Sequence, residues 1–116
     1  MADAMGARVE LGTLYACYGG LLTGKQRDAV RLYAGEDQSL SEIAGAMGVS
    51  RQNVHELITR AEHKLRKCED ALHLAEQTLF VQAGLEEATH ALDKGDTGLC
   101  REILTKLTDE LDREDV

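Results

Sequence analysis

The sequence predicts an all-α protein, and three observations carry that expectation. Proline is absent from the 116 residues, 29% of them are Asp, Glu, Lys or Arg, and apolar side chains recur every three or four positions along most of the chain. Charge-rich chains with that period build amphipathic helices whose outer faces are solvated. Aromatics make up 3%, so the core must come from Leu, Ala, Val and Ile. The length allows one small domain with a modest core.

Val9, Leu11, Leu14, Tyr15, Tyr18, Leu21 and Leu22 predict a first helix, weakened at Gly12 and bent or ended at Gly19-Gly20. Thr23 and Gln26 have capping-box spacing, and Ala29, Val30, Leu32 and Tyr33 continue a short amphipathic helix to a turn at Gly35-Glu36-Asp37-Gln38.

The most specific stretch is Ser39 to Lys67, which meets the demands of a helix-turn-helix. Two short helices that cross steeply around a tight turn need small residues where backbones meet and apolar ones where helices face each other. Ser39 with Glu42 forms a second capping box, and Leu40, Ile43 and Met47 supply a buried stripe. Ala44 permits close approach, Gly48 takes a turn that needs positive φ, and Val49 fills the space beneath it. Ser50 then caps a helix whose inner face is Val54, Leu57, Ile58, Ala61 and Leu65. The opposite face carries Gln52, Glu56, Thr59 and His63, flanked by Asn53, His55 and Arg60. That is the face a recognition helix presents to a groove.

No breaker follows Leu65 until Gly84, so the recognition helix is expected to run on through Leu72 and Leu74 as a long connecting helix. Leu79, Phe80, Ala83, Ala88 and Leu92 lead to a helix-ending turn at Lys94-Gly95-Asp96-Thr97-Gly98. Leu99, Ile103, Leu104, Leu107 and Leu111 form a last amphipathic helix. The organisation is thus a nucleic-acid-binding unit over 1–74 and an acidic helical hairpin over 75–116, within one domain. A single Ala-Leu-x-x-Gly-Asp hairpin without a fixed period reads as a packing or dimerising element, not as a repeat array. An exposed Leu stripe on it would give a symmetric homodimer.

The net charge of −8 is unevenly distributed. Eight basic residues face six acidic ones from Thr23 to Lys67, a local balance of +2, which leaves −10 for the rest. After Cys68, thirteen acids face only Lys94, Arg101, Lys106 and Arg113, so the C-terminal segment repels nucleic acid.

Chemistry is sparse. His55-Glu56 opens like a zinc-protease helix, but Thr59 stands where the second ligand is needed. No phosphate-cradling glycine loop occurs, and the remaining histidines are scattered on charged faces. Cys17, Cys68 and Cys100 are odd in number and far apart, the mark of reduced structural thiols. The acidic run near the C-terminus lacks the spacing of a cation loop and reads as a solvated tail. No enzyme activity, cofactor or metal is expected. No apolar run approaches the roughly 20 residues that span a bilayer, and the first ten residues lack a secretory pattern, so the expected location is cytoplasmic, with no membrane partner.

Tyr18-Gly19, Leu21-Leu22-Thr23 with Lys25-Gln26-Arg27, Leu32-Tyr33, Ser39-Leu40 with Glu42-Ile43-Ala44, Ser50-Arg51-Gln52 with Val54, and Leu72-His73-Leu74 together resemble the YlxM-type family. These are small bacterial helix-turn-helix proteins associated with the signal recognition particle. The central block is also similar to the promoter-reading C-terminal domain of bacterial sigma factors. That likeness implies that the helix opening at Ser50 lies in a major groove, with Arg51, Gln52, Asn53 and His55 at base-facing positions. Arg60, Lys64, Lys67, Lys25 and Arg27 would hold phosphates. The partners implied are DNA first, and the particle's RNA or GTPase second. Glu56 in mid-face departs from that pattern, unless Arg60 at i+4 pairs with it. The alternative is an adaptor whose acidic surfaces dock on that GTPase or on RNA polymerase without strong DNA binding.

Overall fold

A computed structural model describes residues 4–113, and among them are six α-helices and no strand. They are α1 (Ala4–Tyr18), α2 (Gly24–Val30), α3 (Leu40–Met47), α4 (Arg51–Leu72), α5 (Leu74–Asp93) and α6 (Thr97–Asp112). A short 3-10 turn, Gly19–Leu21, follows α1, and a wider π-type turn, Arg31–Gly35, continues α2. The chain divides into two compact units, residues 1–75 and 76–116.

In the first unit the local signals form as their chemistry requires. Thr23 accepts from the Gln26 amide while the Gln26 side chain accepts from Thr23, and Ser39 and Glu42 make the same reciprocal pair. Each box satisfies two of the amides that a helix start leaves open. The Ser39 bonds hold the Glu42 carboxyl below its usual range. Gly12 does not interrupt α1, and α1 stops where Gly19 lies against the Tyr15 ring.

The core is built in two joined clusters. Leu11, Leu14, Tyr18, Leu22, Val30, Ala61, Leu65 and Ala75 form one, and Leu32, Ile43 and Val54 the other, with Tyr33 and Ile58 packed against both. Val9 on α1 and Leu21 on the following 3-10 turn, both in the apolar series expected to face the core, are exposed.

The continuous helix expected through Leu74 is not formed. α4 ends at Leu72, His73 turns left-handed at φ 53°, and α5 starts at Leu74. The cause lies far away in sequence: the buried Tyr18 hydroxyl donates to Glu69 Oε1 at 2.6 Å and accepts the Leu74 amide at 2.9 Å. Glu69 Oε1 also accepts the Ala75 amide at 2.9 Å. Two amides at the start of α5 are thereby satisfied, which makes a break at His73 affordable despite its left-handed backbone.

In the second unit, Asp96 caps α6 by accepting the Leu99 amide, and Gly95 makes the preceding turn at φ 80°. Ala88 and Ala91 on α5 and Leu107 on α6 are buried. Gly84 lets the helices approach closely, because a Cβ there would stand 2.6 Å from a Leu107 methyl.

Candidate nucleic-acid interface

The site is the α3-turn-α4 unit. Gly48 closes α3 in the left-handed conformation, φ 69°, with its amide on Ala44. Val49 donates to the same Ala44 carbonyl at 3.1 Å and packs with Ile43 and Val54. Ala44, Gly48 and Val49 therefore occupy the roles their residue types predict. Ser50 accepts the Asn53 amide at 3.0 Å and starts α4. Val54, Ala61 and Leu65 are fully buried, so the opposite face of α4 is fixed outward.

Arg51, Gln52, Asn53 and His55 share the opening turns of α4 and are all exposed: Gln52 lies opposite Val54, Asn53 and His55 flank it, and Arg51 stands about 60° around the helix from Val54, at the edge of the buried face. Arg60, Lys64 and Lys67 are exposed further along the same helix. Lys25 and Arg27 are exposed on α2, which packs against α4. At 1.5 Å per residue, 22 residues make α4 about 33 Å long, so its opening turns can enter a groove while later residues meet backbone.

The cations differ in availability. Arg66 is held by Glu10 at 3.4 Å and Glu62 at 3.8 Å, and Arg31 by Glu36 at 3.9 Å. Among the described residues, Arg51, Arg60, Lys64 and Lys67 have no ion pair. Glu56 and Arg60 do not form the i,i+4 pair considered from spacing, so among the described residues a carboxylate without an ion pair stands in the middle of the face. Such a group can accept from a cytosine amino group and is unfavourable beside phosphate.

Arg8 is a residue that sequence reasoning passed over. Its guanidinium lies 4.0 Å from the centre of the Tyr33 ring, donates to the Tyr33 and Gln38 carbonyls at 2.7 and 3.2 Å, and pairs with Asp37 at 3.0 Å. It thereby fastens the segment that leads into α3, including Asp37 with its left-handed φ of 54°. Nothing near Arg8 in sequence announces contacts 25 to 30 residues away.

Among the described residues no helix is long and apolar enough to cross a membrane.

Comparison with known proteins agrees with this architecture. The sequence pattern of the UPF0122 family, described as a helix-turn-helix protein, YlxM / p13 like, matches residues 5–97. A UPF0122 protein of Symbiobacterium thermophilum is 42% identical over 100 residues, covering 86% of this chain and 94% of that relative. One from Desulforamulus reducens is 40% identical over 89 residues, covering 77% and 76%. One from Clostridium kluyveri is 35% identical over 103 residues, covering 89% and 93%. With the match extending from α1 through α5 and the helix-turn-helix formed at its centre, the chain belongs to the UPF0122 family of helix-turn-helix proteins.

Proposed function

We propose that this protein is a DNA-binding regulator that works through the first turns of α4. The observation that carries the reading is the exposed set Arg51, Gln52, Asn53 and His55 in the opening turns of α4, held by the Ser50 cap beside buried Val54. Arginine can bond guanine bidentately, and Asn or Gln can do the same with adenine. Arg60, Lys64, Lys67, Lys25 and Arg27 hold phosphates and set the register of the protein on the duplex. A regulator of this kind acts in the cytoplasm. The resemblance to YlxM-type proteins supports the signal-recognition-particle pathway as its setting.

A second reading is favoured by one observation, the unpaired Glu56 in the middle of the face. In it the fold serves as an adaptor, docking on the particle's GTPase or on RNA polymerase without strong DNA affinity.

Fluorescence anisotropy with duplex DNA and with signal-recognition-particle RNA, at low and physiological salt, separates the two. Salt-sensitive binding to DNA that Arg51→Glu removes is the expected result. Absence of binding to either nucleic acid at low salt overturns the regulator and leaves the adaptor.

A further inference from the structure

The second unit leaves apolar surface that its own two helices do not cover. Leu79, Phe80, Leu85, Leu92, Leu99, Leu104 and Leu111 are 41 to 55% exposed, while the buried seam is made largely of Ala88, Ala91 and Leu107. Units near 40 residues generally need a disulfide, a metal or association to complete a core. Cys100 is a free thiol.

One flank of this hairpin is a groove of about 310 Å³. Phe80 on α5 and Leu99 and Ile103 on α6 supply its apolar lining, and Glu87, Glu102 and Lys106 stand with them. We propose that this flank is a homodimer interface, in which the hairpin of a second copy lies over it and completes a four-helix bundle.

Two features select a second copy as the occupant. The first is charge. A two-fold interface brings each residue i against j and j against i, so a patch with both signs can match itself. Glu87 and Glu102 of one copy can face Lys106 of the other, and the reverse. The second is size. Helices of 20 and 16 residues present a face about 25 Å long and 20 Å wide, roughly 500 Å² in projection, so two copies bury about 1,000 Å² in total before corrugation is counted, the lower bound for a specific interface.

Phe80 and Leu99 are the anchors, because large apolar side chains in the dry centre of an interface carry most of its energy. Leu85, about 140° around α5 from Phe80, faces the other flank with Glu86, Thr89 and His90 and takes no part. The inference is independent of the nucleic-acid reading and is measured without nucleic acid.

The test is sedimentation equilibrium of the full chain at micromolar concentration, in low and high salt. The expected mass is twice the 12.7 kDa of one chain. The dimer holds or tightens as salt rises, because the two hairpins are both acidic and their repulsion is screened. Phe80→Glu and Leu99→Glu, at exposed positions, each raise the dimer dissociation constant by about 30-fold or more while leaving the helical circular dichroism intact. Leu85→Glu leaves the dimer in place. A monomer at both salts overturns the proposal, including the case in which the monomer captures a basic amphipathic peptide with salt-sensitive affinity. A dimer that survives both Phe80→Glu and Leu99→Glu, or that Leu85→Glu disrupts equally, overturns the assignment to this flank.

Discussion

Tyr18 shows how much of this structure depends on single polar atoms in apolar surroundings. Its ring belongs to the main core cluster, and its hydroxyl bridges the Glu69 carboxylate and the Leu74 amide at the junction of α4 and α5. Burial, and then the Glu69 bond, raise the phenol above its ordinary value of 10.0. Tyr18→Phe keeps the ring but strands the Leu74 amide and removes one donor to Glu69. The expected loss is about 1 to 3 kcal/mol, read as a fall of several degrees in melting temperature. The pH dependence has a definite sign: a pKa raised on folding stabilises fully below pH 10.0 and ceases to do so as pH passes the folded value. Alkaline destabilisation above pH 10 should therefore be steeper in the wild type than in Tyr18→Phe, measured by thermal melts along a pH series. An equally steep loss in both proteins would place the alkaline sensitivity elsewhere. None of this is legible locally. Tyr18 reads as one more apolar residue of α1, and its partner Glu69 is 51 residues away.

At the scale of elements, what is local in sequence is also what was legible. The two capping boxes, the Ser50 cap, the left-handed Gly48 and the inward Val54, Ala61 and Leu65 each follow from residue types within a few positions. The outward face of α4 is equally legible, because burying one face of a helix fixes the other. The break at His73 was not, since the Tyr18 hydroxyl that ties Glu69 to the start of α5 comes from α1, and Arg8 escaped for the same reason. Glycines separate local propensity from packing most sharply. Gly45 lies inside α3 with open space where a Cβ would go, so Gly45→Ala should stabilise by about 0.5 to 1 kcal/mol through backbone entropy. At Gly84 the added Cβ meets Leu107 at 2.6, 2.8 and 3.0 Å, and Leu107 is itself buried. There overpacking, typically about 1 to 3 kcal/mol, opposes and outweighs the same entropic gain. Chemical denaturation of the two variants should give shifts of opposite sign. A stabilising Gly84→Ala would mean that α6 moves away from α5 at little cost.

For the whole molecule the governing quantity is the distribution of charge. If the chain is the DNA-binding regulator proposed, it approaches a polyanion with a net charge of −8, against its own field, and the local excess of basic residues between Thr23 and Lys67 is what would favour contact. The C-terminal acids contribute a repulsion that acts at long range and is therefore screened, with a Debye length of about 10 Å at 0.1 M salt and about 3 Å at 1 M. Phosphate contacts respond to salt through counterion release, and three to five of them give a log-log slope of about −3 to −4.5. These two dependences oppose each other, which makes them separable. Neutralising Asp109, Glu110 and Asp112 by the amide substitutions should raise DNA affinity at low salt and leave it unchanged at high salt, so the variant shows a steeper slope than the wild type. Arg60→Gln should do the reverse, lowering affinity and reducing the slope by about 1, because a phosphate contact and its displaced counterion are lost together. Anisotropy titrations of the three proteins across a salt series measure both slopes. If Arg60→Gln leaves the slope at its wild-type value, Arg60 makes no phosphate contact, and Lys64 and Lys67 remain the only candidates for one on the later turns of α4.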